Sequence, residues 1–202
     1  MHFHRPPNGP GCVGARRRAL DGFTLIELMI VMGLIGIILA IALPRFDRTR
    51  MNVDGQARAV RSILLLAQRT AITRGYDVAV AFDTAGRWIR VQEDPDGDLS
   101  ADPGEVTSST ELEGDAVFGR GSAAVLRPGR TAPISFAARQ SGRPVLVFHR
   151  DGSASEQGTV YLSTRRSTGG AYAADARALD IVRATGRVEA FAYTGTTWNR
   201  IF

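Results

Sequence analysis

Residues 23–43 read FTLIELMIVMGLIGIILAIAL, 21 residues whose only charged member is Glu27. A run of this length matches the roughly 20 apolar residues that cross a bilayer as a helix. It is too long for the apolar stretch of a secretory signal peptide, typically about 7–15 residues. Pro44-Arg45-Phe46 also follows it where a small-residue cleavage site would stand. The expectation is one membrane span leading into a folded region. Glu27 is anomalous in such a span, because a carboxylate deep in lipid costs about 3 kcal/mol and marks a functional position.

Composition narrows the rest of the chain. Among 202 residues, 22 glycines and 9 prolines call for many turns and exclude one long helical bundle. All the basic residues are arginine, which excludes any mechanism that needs a lysine amine, whether Schiff base or phosphate-loop lysine. Cys12 is the lone cysteine, so neither an intrachain disulfide nor a cysteine zinc cage is available. The formal charge of +5 is unevenly divided. Residues 1–22 hold Arg5, Arg16, Arg17 and Arg18 against Asp21, whereas residues 23–202 hold 21 arginines against 19 acids. The bulk of the chain is nearly neutral, which argues against DNA as a partner. Arg45, Arg48 and Arg50 balance the arginines that precede the apolar run, so charge alone does not orient the span.

Gly22-Phe23-Thr24-Leu25-Ile26-Glu27 resembles the processing site of type IV prepilins and type II secretion pseudopilins. Counted from Phe23, Glu27 falls at the fifth place and Pro44 at the twenty-second, where that family keeps an acid and commonly a proline. The resemblance implies a leader peptide over residues 1–22, cleaved between Gly22 and Phe23 by the prepilin peptidase, with N-methylation of Phe23. It implies a transmembrane helix over residues 23–43 and a periplasmic domain, anchored by a single pass in the inner membrane and assembled into a periplasmic pseudopilus. The implied partners are the prepilin peptidase, other pseudopilins or pilins through the N-terminal helix, an inner-membrane assembly platform and the lipid bilayer. The resemblance also gives Glu27 a physical role. Cleavage creates an amine at Phe23, and in a filament that amine can pair with the carboxylate of a neighbouring subunit, offsetting the burial of either charge.

Beyond Pro44 a helical period resumes. Val53, Ala57, Val60, Leu64, Ala67 and Ala71 recur at intervals of 4-3-4-3-4, within about 40° of one line, while Arg58 and Arg69 project from the opposite side. Residues 44–75 are therefore expected to be an amphipathic continuation of the helix, with Gly75 as its stop and Pro44 and Gly55 as its weak points. A continuous helix over residues 24–74 would measure roughly 75 Å. After Gly75 the period becomes two: Tyr76, Val78, Val80 and Phe82 alternate with smaller or polar residues, Asp83-Thr84-Ala85-Gly86 turns, and residues 87–92 return as the second arm of a hairpin. Further strands are expected at residues 116–118, 123–127, 134–138, 144–149, 159–164, 178–184 and 187–193, with turns at Asp151-Gly152 and Thr185-Gly186. The fold class is α+β: a long N-terminal helix packed on an antiparallel sheet or sandwich formed by residues 76–202.

This part also resembles the GspH/FimT group of minor pseudopilins and minor pilins, through the hairpin, an acidic loop, Phe148-His149-Arg150-Asp151-Gly152-Ser153, a strand over residues 160–162 and the closing Gly186-Arg187-Val188. The resemblance implies a structural subunit of a type II secretion pseudopilus, involved in protein export across the outer membrane, and no enzyme. The alternative it leaves is a FimT-like minor type IV pilin in pilus assembly or DNA uptake; a membrane-anchored hydrolase stands below both.

Three clusters carry candidate chemistry. Asp94, Asp96, Asp98, Asp102 and Glu105 fall at relative positions 1, 3, 5, 9 and 12, the ligand spacing of a helix–loop–helix calcium loop, but Leu99 occupies the sixth position where the turn asks for glycine. A solvated hairpin loop that needs no cofactor is the preferred reading. His149 lies near Asp151 and several serines, the ingredients of a hydrolytic triad without a nucleophile elbow. For nucleic acid, Arg183, Arg187 and Arg200, joined by Arg165, Arg166 and Trp198, are the candidates. Some FimT-type pilins capture DNA through Gly-Arg-x-Arg, and Gly186-Arg187-Val188-Glu189 resembles that motif with its second arginine replaced by an acid, reversing the charge needed at a phosphate.

Overall fold

The computed structural model describes residues 23–42, 48–100, 102 and 104–201. The backbone divides into two units between Phe46 and Asp47. Among the described residues the first contains α1 (Leu25–Ala42), and the second contains α2 (Arg48–Arg74) and ten strands. The expected leader and the junction at Pro44, on which a continuous helix would depend, lie outside the described residues.

α2 forms where the apolar period is helical, and it runs through Gly55 without a break. Its stripe is the floor of the domain: Val53, Ala57, Val60, Leu64, Ala67 and Ala71 are all buried. Half of that stripe is alanine, so backbones can approach the helix closely. The helix ends at Gly75, whose left-handed φ of +79° a side chain would resist, and the chain then enters β1 (Asp77–Asp83) and β2 (Trp88–Asp94), the expected hairpin.

Two five-stranded sheets share this helix. The first runs β3 (Thr107–Glu111), β2, β1, β6 (Arg143–Phe148), β5 (Arg139–Gln140); the second runs β10 (Trp198–Arg200), β9 (Arg187–Tyr193), β8 (Arg177–Val182), β7 (Gly158–Thr164), β4 (Ala116–Phe118). Every pairing is antiparallel. Val78, Val80 and Phe82 from the first sheet and Val160, Leu162, Leu179, Ile181 and Val188 from the second meet the α2 stripe in one core. This is the expected α+β architecture, with a helix serving two sheets. Arg177, at 2% side-chain exposure, reaches from β8 to Asp54 of α2 and also donates to the carbonyls of Ala174 and Ala176, so its buried charge is answered.

Two expected strands are not strands. Residues 134–138 bury Ile134 and Phe136 in alternation, but only Ile134 makes a bridge, to Val160. The N–H groups of Ala137 and Ala138 donate to the Glu156 carboxylate, each at 2.9 Å, which takes the place of a neighbouring strand. In residues 123–127 the N–H of Leu126 donates to the Tyr161 hydroxyl at 2.8 Å, and the segment stays a loop. Conversely β3, β5 and β10 were not expected. β3 reads Thr-Ser-Ser-Thr-Glu and is exposed throughout, so it carries no apolar alternation to detect.

Gly152 and Gly186, in the two expected turns, converge on one side chain of α2. Gln68 donates to the carbonyls of Gly152 (2.7 Å) and Thr185 (2.8 Å). A Cβ at Gly186, which has φ +59°, would lie 2.3 Å from the Gly152 carbonyl oxygen and 2.4 Å from Gln68 Nε2. Gly186→Ala is therefore expected to cost about 2–3 kcal/mol. Gly55 has nothing within 4 Å of its would-be Cβ, so Gly55→Ala is expected to add about 0.5–1 kcal/mol by helix propensity. Denaturant unfolding of the full chain in non-ionic detergent, read by tryptophan fluorescence, checks both signs.

Candidate functional site

The first candidate site is the start of α1. The Thr24 hydroxyl accepts the N–H of Glu27 at 3.2 Å, and the Thr24 carbonyl accepts the N–H of Leu28 at 3.1 Å. Thr24 thus caps the helix, and an acid three residues on, at the positive end of the helix dipole, completes the composition of a capping box. The signal for this cap in the sequence is the Thr-x-x-Glu spacing just before the apolar run, which hydropathy alone passes over. Every described side chain over residues 23–39 is exposed within its own unit, Phe23 at 81%. A helix apolar on all sides is stable only when something apolar surrounds it. Among the described residues no helix is long and apolar enough to cross a membrane; the 18 residues of α1 reach about 27 Å against a hydrocarbon core of roughly 30 Å. Gly22 and Pro44 lie outside the described residues.

The second lies on the outer face of the first sheet, the side away from α2. Ala79, Ala81, Val145 and Val147 form a small apolar patch there, and Leu99 from the acidic loop packs on it. Two glutamines fasten the loop. Buried Gln92 donates to the Ser100 carbonyl and to Glu105, and Gln140 donates to Gln92 and to the Leu99 carbonyl. Leu99 adopts φ +60°, the left-handed conformation expected of glycine at this place, so the turn closes despite its residue type. Asp94 Oδ1 and Oδ2 accept the N–H groups of Gly97 and Leu99 at 2.9 and 3.2 Å.

The calcium-spaced acids divide. Asp94, Asp96 and Asp98 bring carboxylate oxygens within 4.8 Å of one another. Glu105 turns instead to Gln92 and to the N–H of Asp102, at 2.8 and 3.1 Å. Burial pushes the Asp94 pKa up in spite of its two N–H donors, and the neighbouring charge of Asp98 pushes that of Asp102 up. An upward shift means that the folded loop favours the protonated acids. Their contribution to stability is therefore greatest in acid and is lost as pH rises through the folded pKa.

His149 does not build a triad with Asp151. Its Nδ1 lies 2.8 Å from Asp77 Oδ2, whereas Asp151 accepts both the hydroxyl and the N–H of Ser153, at 2.6 and 2.8 Å, which hold its pKa down. His149, Asp77, Asp94, Asp96 and Asp151 instead line an open cleft of about 430 Å³. The arginines proposed for nucleic acid are mostly answered by acids. Glu189 accepts Arg187 at 2.8 Å and lies 3.5 Å from Arg200, and Asp175 takes Arg166 through two nitrogens. Arg183 sits in the exposed turn between β8 and β9. Trp198, half-buried, packs against Tyr193 and Tyr161 and donates to the Ala124 carbonyl at 2.9 Å.

Comparison with known proteins places these sites in a family. Residues 17–43 match the prokaryotic N-terminal methylation motif. Residues 56–185, more than half the chain and running from within α2 through β8, match the family described as type II transport protein GspH. The chain belongs to the GspH family. Pilin-like protein PilA1 of Thermus thermophilus is 32% identical over 108 residues, covering 52% of this chain and 65% of its own length, so the chain spans just under two thirds of that relative. Two solved structures are similar. The minor pseudopilin EpsH of Vibrio cholerae has 14% identity and a TM-score of 0.41 over 74% of this chain and 96% of that one. The type IV minor pilin FimU of Pseudomonas aeruginosa has 13% identity and a TM-score of 0.48 over 74% and 94%.

Gln92 and Gln140 tie the loop through side-chain hydrogen bonds to Ser100, Glu105 and Leu99. Chelation is expected to leave thermal stability unchanged, whereas Gln92→Ala, which strands the bonds to Ser100, Glu105 and Gln140, is expected to cost about 2–3 kcal/mol. Limited proteolysis of Gln92→Ala should then cut within residues 95–105, sites protected in the parent chain.

Proposed function

We propose that this chain is a minor pseudopilin, a structural subunit that anchors in the inner membrane and assembles into a periplasmic type II secretion pseudopilus for export across the outer membrane. The observation that carries the reading is α1: a helix exposed and apolar on every side, with Glu27 as its one charge, beginning just after Gly22-Phe23 and accompanying a GspH-family domain. Residues 23–43 as a helix would reach about 31 Å, enough to span the bilayer once. The prepilin peptidase removes residues 1–22 and Phe23 is N-methylated. The methylated amine then pairs with Glu27 of a neighbouring subunit as helices exchange lipid for one another. The subunit performs no catalysis, and its partners are other pilin-like chains and the inner-membrane assembly platform. The similarity to a pilin-like protein favours, as the second reading, the same role in a type IV pilus.

Two measurements test this. Mass spectrometry of membrane-extracted protein is expected to show a mature chain starting at N-methylated Phe23; a chain that retains residues 1–22 refutes the processing step. Glu27→Ala is expected to reach the membrane at normal yield, since removing a buried carboxylate eases insertion by at most about 3 kcal/mol. It should nevertheless disappear from sheared filaments. Normal incorporation of Glu27→Ala would show that the acid is not the docking contact.

A further inference from the structure

The outer face of the first sheet carries, at the end away from Asp77 and Asp94, a cavity of about 460 Å³ between β2, β5, β6 and the Leu99 loop. The register of the β1–β2 hairpin sets Trp88 opposite Asp83 and Arg90 opposite Ala81. Two guanidinium groups stack on the Trp88 ring, Arg90 at 4.9 Å and Arg143 at 4.8 Å from its centroid. Arg139 lines the same cavity, and Ser100 and Ser141 contribute hydroxyls.

Three guanidiniums around one cavity repel unless acids answer them, and the answer is incomplete. Asp83 accepts the Nε of Arg143 at 2.9 Å. Arg139 donates to a neutral partner, the Phe136 carbonyl, at 3.0 Å. Arg90 makes no ion pair among the described residues, and its Nε is buried with no hydrogen-bond partner. Asp98 is the one carboxylate among the lining residues. The arrangement is built rather than incidental. The Trp88 ring lies so close to the β1–β2 turn that a Cβ on Gly86 would come within 2.7 Å of it, and the loop forming the wall is fastened by Gln92 and Gln140.

We propose that this cavity binds a phosphate-class oxyanion, carried by a small soluble molecule or by a lipid headgroup. A guanidinium fork matches phosphate geometry, and a phosphate offers enough acceptors and negative charge to engage Arg90 and Arg139 together, whereas a carboxylate saturates one fork. The volume is that of a small-ligand site. The role does not depend on the assembly reading.

Isothermal titration of the full chain in non-ionic detergent with inorganic phosphate, at ionic strength fixed by chloride, is expected to show saturable binding. Arg90→Gln is expected to weaken it at least tenfold, and Arg139→Gln, at an exposed side chain, at least threefold. Arg69→Gln, at an exposed arginine of α2, is expected to leave it unchanged. Melting curves without ligand establish that the variants fold. Mixed micelles of the detergent with phosphatidic acid separate the sources: tighter binding than inorganic phosphate assigns the site to a headgroup, and equal or weaker binding assigns it to a soluble phosphate. Absence of saturable binding by both compounds, or binding that survives both Arg90→Gln and Arg139→Gln, overturns the proposal.

Discussion

The domain depends on one stripe of α2 being small and apolar enough to be buried by two sheets at once. Val53, Ala57, Val60, Leu64, Ala67 and Ala71 are each at most 1% exposed, and side chains of both sheets meet them in a single core. The three alanines let strands come close, while Val53, Val60 and Leu64 supply the volume. Everything polar on α2 that faces inward then has to be answered at short range, and it is. Asp54 meets buried Arg177, and Gln68 holds two loop carbonyls. The helix therefore fixes the loops between strands as well as the sheets.

Because the sheets commit their inner faces to α2, their outer faces are free to differ. On the first sheet the register gathers carboxylates at one end, around Asp77 and Asp94, and arginines with Trp88 at the other. Leu99 covers the apolar patch between them. One face thus carries two clefts of opposite character, separated by a single loop.

The α2 stripe and the β1–β2 hairpin were legible in the sequence because their side chains alternate with the period of the backbone. The later strands were legible wherever alternation coincided with pairing. Residues 134–138 show where that coincidence fails: Ile134 and Phe136 are buried as a strand would bury them, but a glutamate takes the N–H groups. β3 shows the converse, with a ladder and no apolar signal at all. Of the sites, the Gly22-Phe23 motif and Glu27 could be read from local spacing. The pairing of Arg143 with Asp83, and of Gln140 with Gln92, joins residues 60 and 48 apart, so the clustering on the outer face exists only once the strands are in register.

The sheet margins bear on how copies of the domain meet one another. β4 and β10 have three residues and β5 has two, while β3 has five, all exposed hydroxyl or acidic side chains. Margins that short, or that hydrophilic, give a neighbouring chain little to extend by backbone pairing. Copies brought side by side are thereby steered away from irreversible strand-to-strand coalescence.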